Sequence, residues 1–452
     1  MTYSGKARKL LDKAKVKEGD LVAVSWKGQH LRGFLLPRIE AGDQEALVVK
    51  LESGYNVGLN ARDVGSLEKV GPRMEIGKIP KIEFKKNENL PDISFIATGG
   101  TIGTHLDYKT GGVYMCRTPE EVLATTPELE NIVNLRSTIS PFTIASEDVN
   151  YTHWQKMAKL VAKELNTGSE GVILTHGTDC LHYTSAALSF MLRDLCKPVA
   201  VVGAQRSPDR SSFDGSLNLI AAARYCTSDF AEVATVMHAN SSDDCCFAIR
   251  GTKARKMHTS RRDAFRSINE KPLAKIYPDG RIEKLNENYN KRRSGMVYTD
   301  TVFEPRTAIL KVYPGADPTM LDFLVQKKYK GVVIEATGLG HVPTGVGGIK
   351  AGPLAGKLSW IPAVRRAVDK GIVVCITSQT IYGRVHPFIY RNLRMLHAAG
   401  ATFCEDMTTE TAYVKLGWLL GHKLRSEEVK RRMLENIAGE INPRITEEEF
   451  LL

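Results

Sequence analysis

Two stretches of the chain end an apolar run in glycine and threonine. Residues 93–102 read ISFIATGGTI and residues 171–179 read GVILTHGTD. An apolar run that breaks into Gly99-Gly100 marks a buried strand opening into a sharp turn. Such a turn presents the Thr101 hydroxyl beside backbone N–H groups, which suits a nucleophile next to an oxyanion hole. THGTD repeats that grammar and adds a carboxylate. Adjacent strand ends of this kind would bring Thr101, Thr178 and Asp179 into one crevice. Read singly, TGGT is a glycine-rich turn with threonine as filler, and in THGTD the Asp or Thr caps the following helix. Two such ends in one sheet make capping a less sufficient explanation. The basic run RGTKARKMHTSRRDAFR, residues 250–266, reads on charge as a solvated or phosphate-facing loop. A lysine from it, desolvated beside a threonine hydroxyl, would serve instead as a base.

The elements that must position these residues follow from periodicity. From Ile93 onward, strand and helix signals alternate. Helices are expected at Thr152–Leu165, Ser185–Leu195 and Leu217–Tyr225, and strands at Gly171–Leu174, Pro198–Val202 and Val233–Met237. This alternation predicts an α/β fold with a doubly wound parallel sheet, and in open α/β sheets ligands bind at the C-terminal ends of the strands. Around residues 285–305 the chain turns polar. A second alternation then predicts a smaller α/β domain: strands Ala308–Val312, Gly331–Glu335 and Ile372–Ile376, and helices Pro318–Lys327, Ile361–Asp369 and Asn392–Ala399. Helices Thr408–Leu420 and Ser426–Asn436 close the chain. Residues 1–72 differ. Short strand candidates at Leu21–Val24, Leu31–Leu36, Ala46–Val49 and Tyr55–Val57, with close turns, predict an SH3-like β-barrel. The expected division is a barrel over 1–72, a linker over 73–91, and α/β domains over 92–290 and 306–452.

Composition sets outer bounds. The chain has 452 residues, 42% hydrophobic and 25% charged, the profile of a multidomain globular protein. No apolar run reaches the length of a membrane helix, and the charged N-terminus lacks a signal-peptide core, so a cytoplasmic protein without membrane contact is expected. Eight scattered cysteines without a CxxC pair predict reduced thiols, with no disulfide framework and no zinc site. A net charge of +11 permits a polyanionic partner without requiring one. No GxxxxGK[ST] motif is present, which argues against ATP use through a P-loop. Gly99-Gly100-Thr101-Ile102-Gly103 is not GxGxxG, so dinucleotide binding is a weak reading.

TGGTI at 98–102, THGTD at 175–179 and SQTIYGRV at 378–385 resemble the L-asparaginase/glutaminase family over roughly residues 92–440. The resemblance implies an asparaginase-like fold and hydrolysis of a side-chain amide. Thr101, Thr178, Asp179 and Lys256 would be the catalytic set. Lys253 competes with Lys256 for the lysine role, and Tyr108, Thr110 and Tyr114 are alternatives for the group that activates Thr101. Which threonine is attacked first stays open. Ile144-Ala145-Ser146-Glu147-Asp148 is similar to the family's substrate-binding segment, so Ser146 and Glu147 would bind substrate, along with the Gly100 and Gly177 turns. An asparaginase-like body behind a small barrel, with the stretch QRSPDRSS at 205–212, resembles the D-subunit family of archaeal glutamyl-tRNA(Gln) amidotransferases. That implies glutamine as substrate and no cofactor in this chain. ATP and Mg²⁺ would be used by a kinase and transamidase partner, which would bind most of the Glu-tRNA(Gln). It also implies a homodimer within a heterotetramer. A free asparaginase with an accessory barrel, or a binding protein that lost activity, are the alternatives; the barrel disfavours the first and the intact threonines, aspartate and lysine the second.

Overall fold

The computed structural model describes residues 3–37, 43, 45–51, 56–73, 86–106, 113–115, 122–123, 125–208, 213–345 and 357–450. At the N-terminus, the helix Gly5–Ala14 lays Ala7 and Leu11 onto a five-stranded antiparallel sheet. Its strand order is Asn56–Asn60, Ala46–Leu51, Gln29–Leu35, Asp20–Trp26, Val64–Arg73. Alternation puts Val22, Val24, Leu35, Leu47, Val49 and Leu59 on one inner face. The fifth strand is absent from the sequence expectation. Its residues VGSLEKVGPR hold only three aliphatic side chains, interrupted by Glu68 and Lys69, and only Leu67 of them is buried among the described side chains.

An eight-stranded sheet follows. Its order is Ile282–Lys284, Ala274–Ile276, Cys246–Arg250, Val233–His238, Val199–Val202, Val172–Thr175, Asp92–Ala97, Asn134–Ile139. The five strands from Val233–His238 to Asn134–Ile139 run parallel, as the alternation predicts. The other three are antiparallel, so the sheet is mixed. The loops 239–245 and 277–281 are too short to cross over into a parallel pair, whereas residues 251–273, between the other two strands, carry the hairpin of Ala254–Lys256 and Phe265–Ser267. Helices Tyr151–Asn166 and Leu181–Met191 cover one face, and Gly215–Cys226 the other. The middle helix starts four residues before the expected Ser185. It ends at Met191, where Leu192 turns extended and pairs with Thr299.

A second sheet is parallel throughout: Thr307–Lys311, Gly331–Ala336, Val373–Ser378, Thr402–Phe403. Its outer face packs on helices Thr319–Gln326, Trp360–Asp369 and Arg391–Ala398. Its inner face shares one core with the first sheet's helices. Val333, Val373 and Cys375 join Trp154, Phe190 and Met191 through Leu416 and Trp418 of the helix Thr409–Gly421. The last helix, Ser426–Met433, stops short of the expected Asn436. Buried Lys415 pairs with Glu440 at 2.6 Å and draws the carbonyls of Met433 and Glu435 to itself. Among the described residues no helix is long and apolar enough to cross a membrane, and no group of three His, Cys, Asp or Glu side chains is arranged to hold a metal. The seven described cysteines are unbridged and six are buried; Cys116 lies outside the described residues.

Candidate active site

The site lies where three parallel strands end. Asp92–Ala97 and Val172–Thr175 are hydrogen-bonded neighbours, and beyond their last pair Thr98 donates to the Thr175 carbonyl from its N–H at 3.2 Å and its hydroxyl at 2.7 Å. The chain then passes through Gly99 (φ 109°) and Gly100 (φ 87°). A Cβ on Gly100 would lie 2.5 Å from the Gly177 Cα, so the two turns touch through bare backbone. Thr101 opens the single 3₁₀ turn Thr101–Gly103 directly after this contact. A Cβ on Gly177 would in turn lie 2.8 Å from Cβ and 2.9 Å from Oγ of buried Ser146, which heads the short turn Ser146–Asp148. Gly100, Thr101, Ser146, Gly177 and Thr178 are therefore packed around one point. Glu147 is exposed on the same turn. Burial, joined by the charges of Asp179 and Glu147, raises the pKa of the neighbouring Cys180 thiol.

The basic run supplies the cation. Ala254–Lys256 pairs antiparallel with Phe265–Ser267 in a hairpin. Lys256 Nζ lies 2.9 Å from Thr178 Oγ1 and 2.6 Å from Asp179 Oδ1. Lys253 points elsewhere: its fully buried Nζ is 2.6 Å from Asp406 of the second α/β unit. The other basic residues of the run are also ion-paired: Arg250 with Glu232 and Glu270, Arg255 with Glu410, Arg261 and Arg266 with Asp263, Arg262 with Asp243. This overturns the phosphate-facing reading of the run, because each charge is matched by a carboxylate. Tyr108 and Thr110 lie outside the described residues, and of Tyr114 only the backbone is described, in the strand Val113–Met115 paired with Thr104–Leu106.

Behind the site a chain of hydrogen bonds fixes the THGTD peptide planes. Trp154 Nε1 donates to Thr184 Oγ1 at 3.0 Å, and Thr184 lies 2.9 Å from His176 Nε2. His176 Nδ1 is 2.7 Å from the Gly177 carbonyl. A carbonyl accepts only, so Nδ1 carries the proton and Nε2 takes the Thr184 hydroxyl. Burial lowers the His176 pKa to about 4, which keeps the ring neutral and this direction of donation intact. Holding the Gly177 carbonyl inward turns the Thr178 N–H, on the opposite edge of the same peptide plane, towards the crevice. The third strand end, Val199–Val202, leads into Gly203, where a Cβ would meet Thr178 Cγ2 at 2.8 Å. Gln205 follows, with Oε1 3.4 Å from Thr178 Oγ1. The expected site residues omit Gln205. The signal for it was present, since VAVVG repeats the strand-then-glycine pattern of the other two ends.

The fold and this constellation define an asparaginase-type amidohydrolase body. The model "Asparaginase, N-terminal" matches residues 92–290, and "Glutaminase/Asparaginase C-terminal domain" matches residues 306–433. The thermostable L-asparaginase from Thermococcus kodakarensis superposes with a TM-score of 0.68 at 25% identity, covering 78% of this chain and all of that one. L-asparaginase I from Vibrio cholerae gives 0.65 at 27% identity, over 78% of this chain and 99% of that one. The barrel narrows the identity, because residues 16–70 match the "GatD N-terminal domain". Three relatives are named as D subunits of glutamyl-tRNA(Gln) amidotransferase. The Pyrococcus furiosus protein is 47% identical over 97% of this chain and 95% of its own, and that of T. kodakarensis 48% over 96% of each. The Methanothermobacter thermautotrophicus protein is 44% identical over 98% of each. The chain belongs to the D-subunit family of the glutamyl-tRNA(Gln) amidotransferases.

Proposed function

We propose that the chain hydrolyses glutamine and hands the ammonia to a partner subunit, which uses it with ATP and Mg²⁺ to convert Glu-tRNA(Gln) into Gln-tRNA(Gln). The observation that carries the hydrolytic step is the Lys256 amine, within hydrogen-bonding distance of both Thr178 and Asp179 at the strand end beside Thr101. In this reading Thr101 Oγ attacks the side-chain carbonyl of glutamine. The C–N bond breaks, ammonia leaves, and a γ-glutamyl ester remains on Thr101 until water releases glutamate. Thr178 relays the Thr101 proton to Lys256, which passes it on to the leaving nitrogen, and Asp179 balances the charge carried in between. Backbone N–H groups at the Gly100 and Gly177 turns hold the oxyanion, each such donor contributing on the order of 3 kcal/mol. Ser146 and Glu147 bind the amino-acid head group. The chain needs no cofactor of its own and acts in the cytoplasm, as a homodimer within a heterotetramer. The barrel serves the partner or the tRNA, so removing residues 1–72 should abolish capture of the partner. Activation of Thr101 falls to Tyr108, Thr110 or Tyr114.

The test is ammonia release from glutamine and from asparagine by the purified chain, with and without the partner, ATP and Glu-tRNA(Gln). Strong stimulation by the full mixture, abolished in Thr101→Ala, supports the proposal. Fast partner-independent hydrolysis of asparagine would replace it with a free asparaginase. An electrophilic glutamine analogue, mapped by mass spectrometry, should label Thr101; labelling of Thr178 would reverse the order of the two threonines.

A further inference from the structure

The loop after the third strand end is held on both sides by buried polar groups. Buried Asp214 accepts the Gln205 N–H at 3.1 and 3.0 Å and the Arg206 N–H at 2.9 Å. Asn218 Nδ2 donates to the Gly203 carbonyl at 2.9 Å, and its Oδ1 lies 2.6 Å from His238 Nδ1. These bonds fix the backbone around Gln205 and aim its side chain at Thr178. The hydrogen-bond network also fixes which end of the carboxamide faces the threonine. Thr178 Oγ1 accepts from Lys256 Nζ at 2.9 Å and donates to Gln205 Oε1 at 3.4 Å. The Nε2 end is then left buried with no acceptor among the described residues. Ser207 Oγ, two residues on, is likewise buried and unpartnered. Buried donors are almost always satisfied, so an orphaned amide beside a nucleophile crevice points to a ligand that supplies the acceptor.

We propose that Gln205 is a further catalytic residue: its Nε2–H donates to the carbonyl oxygen of the substrate's primary carboxamide, while its Oε1 orients the Thr178 hydroxyl. This inference rests on the amidohydrolase reading of the crevice. Charge builds on that oxygen as the tetrahedral intermediate forms, so the bond strengthens towards the transition state and acts on kcat more than on KM.

The experiment compares the wild-type full chain with Gln205→Met and Gln205→Glu, in the complete mixture with partner, ATP and Glu-tRNA(Gln). Methionine keeps the length and removes the donor; kcat should fall about ten- to a hundredfold with KM nearly unchanged and the thermal midpoint preserved. Glutamate is a donor only when protonated. Its activity should lie below that of the methionine variant at neutral pH and recover as the pH falls towards its pKa, a limb absent from the other two profiles. A residue that merely supports the loop would not produce that recovery. The inference is overturned if Gln205→Met keeps kcat within about twofold, or if the glutamate and methionine profiles have the same shape. Ratios are read on whichever primary carboxamide the wild-type chain turns over. Failure on glutamine itself would count against the proposed function and leave the Gln205 comparison decisive on asparagine.

Discussion

Lys253 and Lys256 lie three residues apart, and the structure gives them opposite tasks that one pair of substitutions separates. In Lys256→Met the lost partners are Thr178 and Asp179. The Asp179 side chain is 67% exposed, so water takes over its solvation and stability should change by no more than about 1 kcal/mol. Turnover should fall at least about a hundredfold, the scale of a lost proton-transfer group. In Lys253→Met the consequence is reversed. Lys253 and Asp406 are both fully buried, and removing one member of a buried pair typically costs about 3–5 kcal/mol. Asp406 keeps the Asn442 N–H at 3.0 Å and Asn442 Nδ2 at 3.2 Å, with Arg384 at 3.9 Å, so the cost should sit near the low end, about 3 kcal/mol. The double variant Lys253→Met/Asp406→Leu should regain much of that loss, since no charge is left buried alone. Ammonia release and thermal unfolding on the same preparations decide the matter. A Lys256→Met enzyme with near-normal turnover would refute the assignment. So would a Lys253→Met enzyme that is silent while its unfolding midpoint is unchanged.

Two further outcomes follow from buried groups around the crevice. Burial holds the pKa of His176 at about 4 and that of His182 at about 3, against 6.5 in the unfolded chain. Below pH 6.5 the unfolded chain takes up protons that the fold refuses. Stability should therefore be full above pH 6.5 and decline as the pH falls towards 4, by about 3 kcal/mol for His176 alone; denaturant melts at pH 7, 5 and 4 measure this. His182 Nδ1 has no hydrogen-bond partner among the described residues, so His182→Leu should flatten part of that slope, and an unchanged slope would count against the burial argument. Gly100→Ala should lower turnover on the order of a hundredfold, because the added methyl meets the Gly177 Cα at 2.5 Å and displaces the Thr101 turn. Normal kinetics in that variant would mean the two turns do not need to touch.

The sequence by itself determined the local grammar. Apolar runs of strand length, broken by Gly99-Gly100, Gly177 and Gly203, mark the three strand ends that meet at the site. Helical periodicity placed Tyr151–Asn166, Gly215–Cys226 and Thr409–Gly421 to within two residues. These signals are short-range, because side-chain spacing and glycine backbone freedom are properties of neighbouring residues. What depended on distant partners was decided by the tertiary structure alone. The charged strand Val64–Arg73 lacks an apolar pattern and forms because Asp20–Trp26 offers a free edge to pair with. The choice of Lys256 over Lys253 is a matter of hairpin register, with Lys256 opposite Phe265 and Lys253 still in the preceding turn, facing an aspartate 153 residues away. The VAVVG pattern before Gln205 marks a strand end but does not say what its side chain reaches. Gln205 reaches Thr178 only because Asp214, nine residues on, and Asn218, fifteen residues from Gly203, hold the loop against a strand end formed elsewhere in the chain. Such contacts are set by how the sheet orders its strands, which no window of sequence contains.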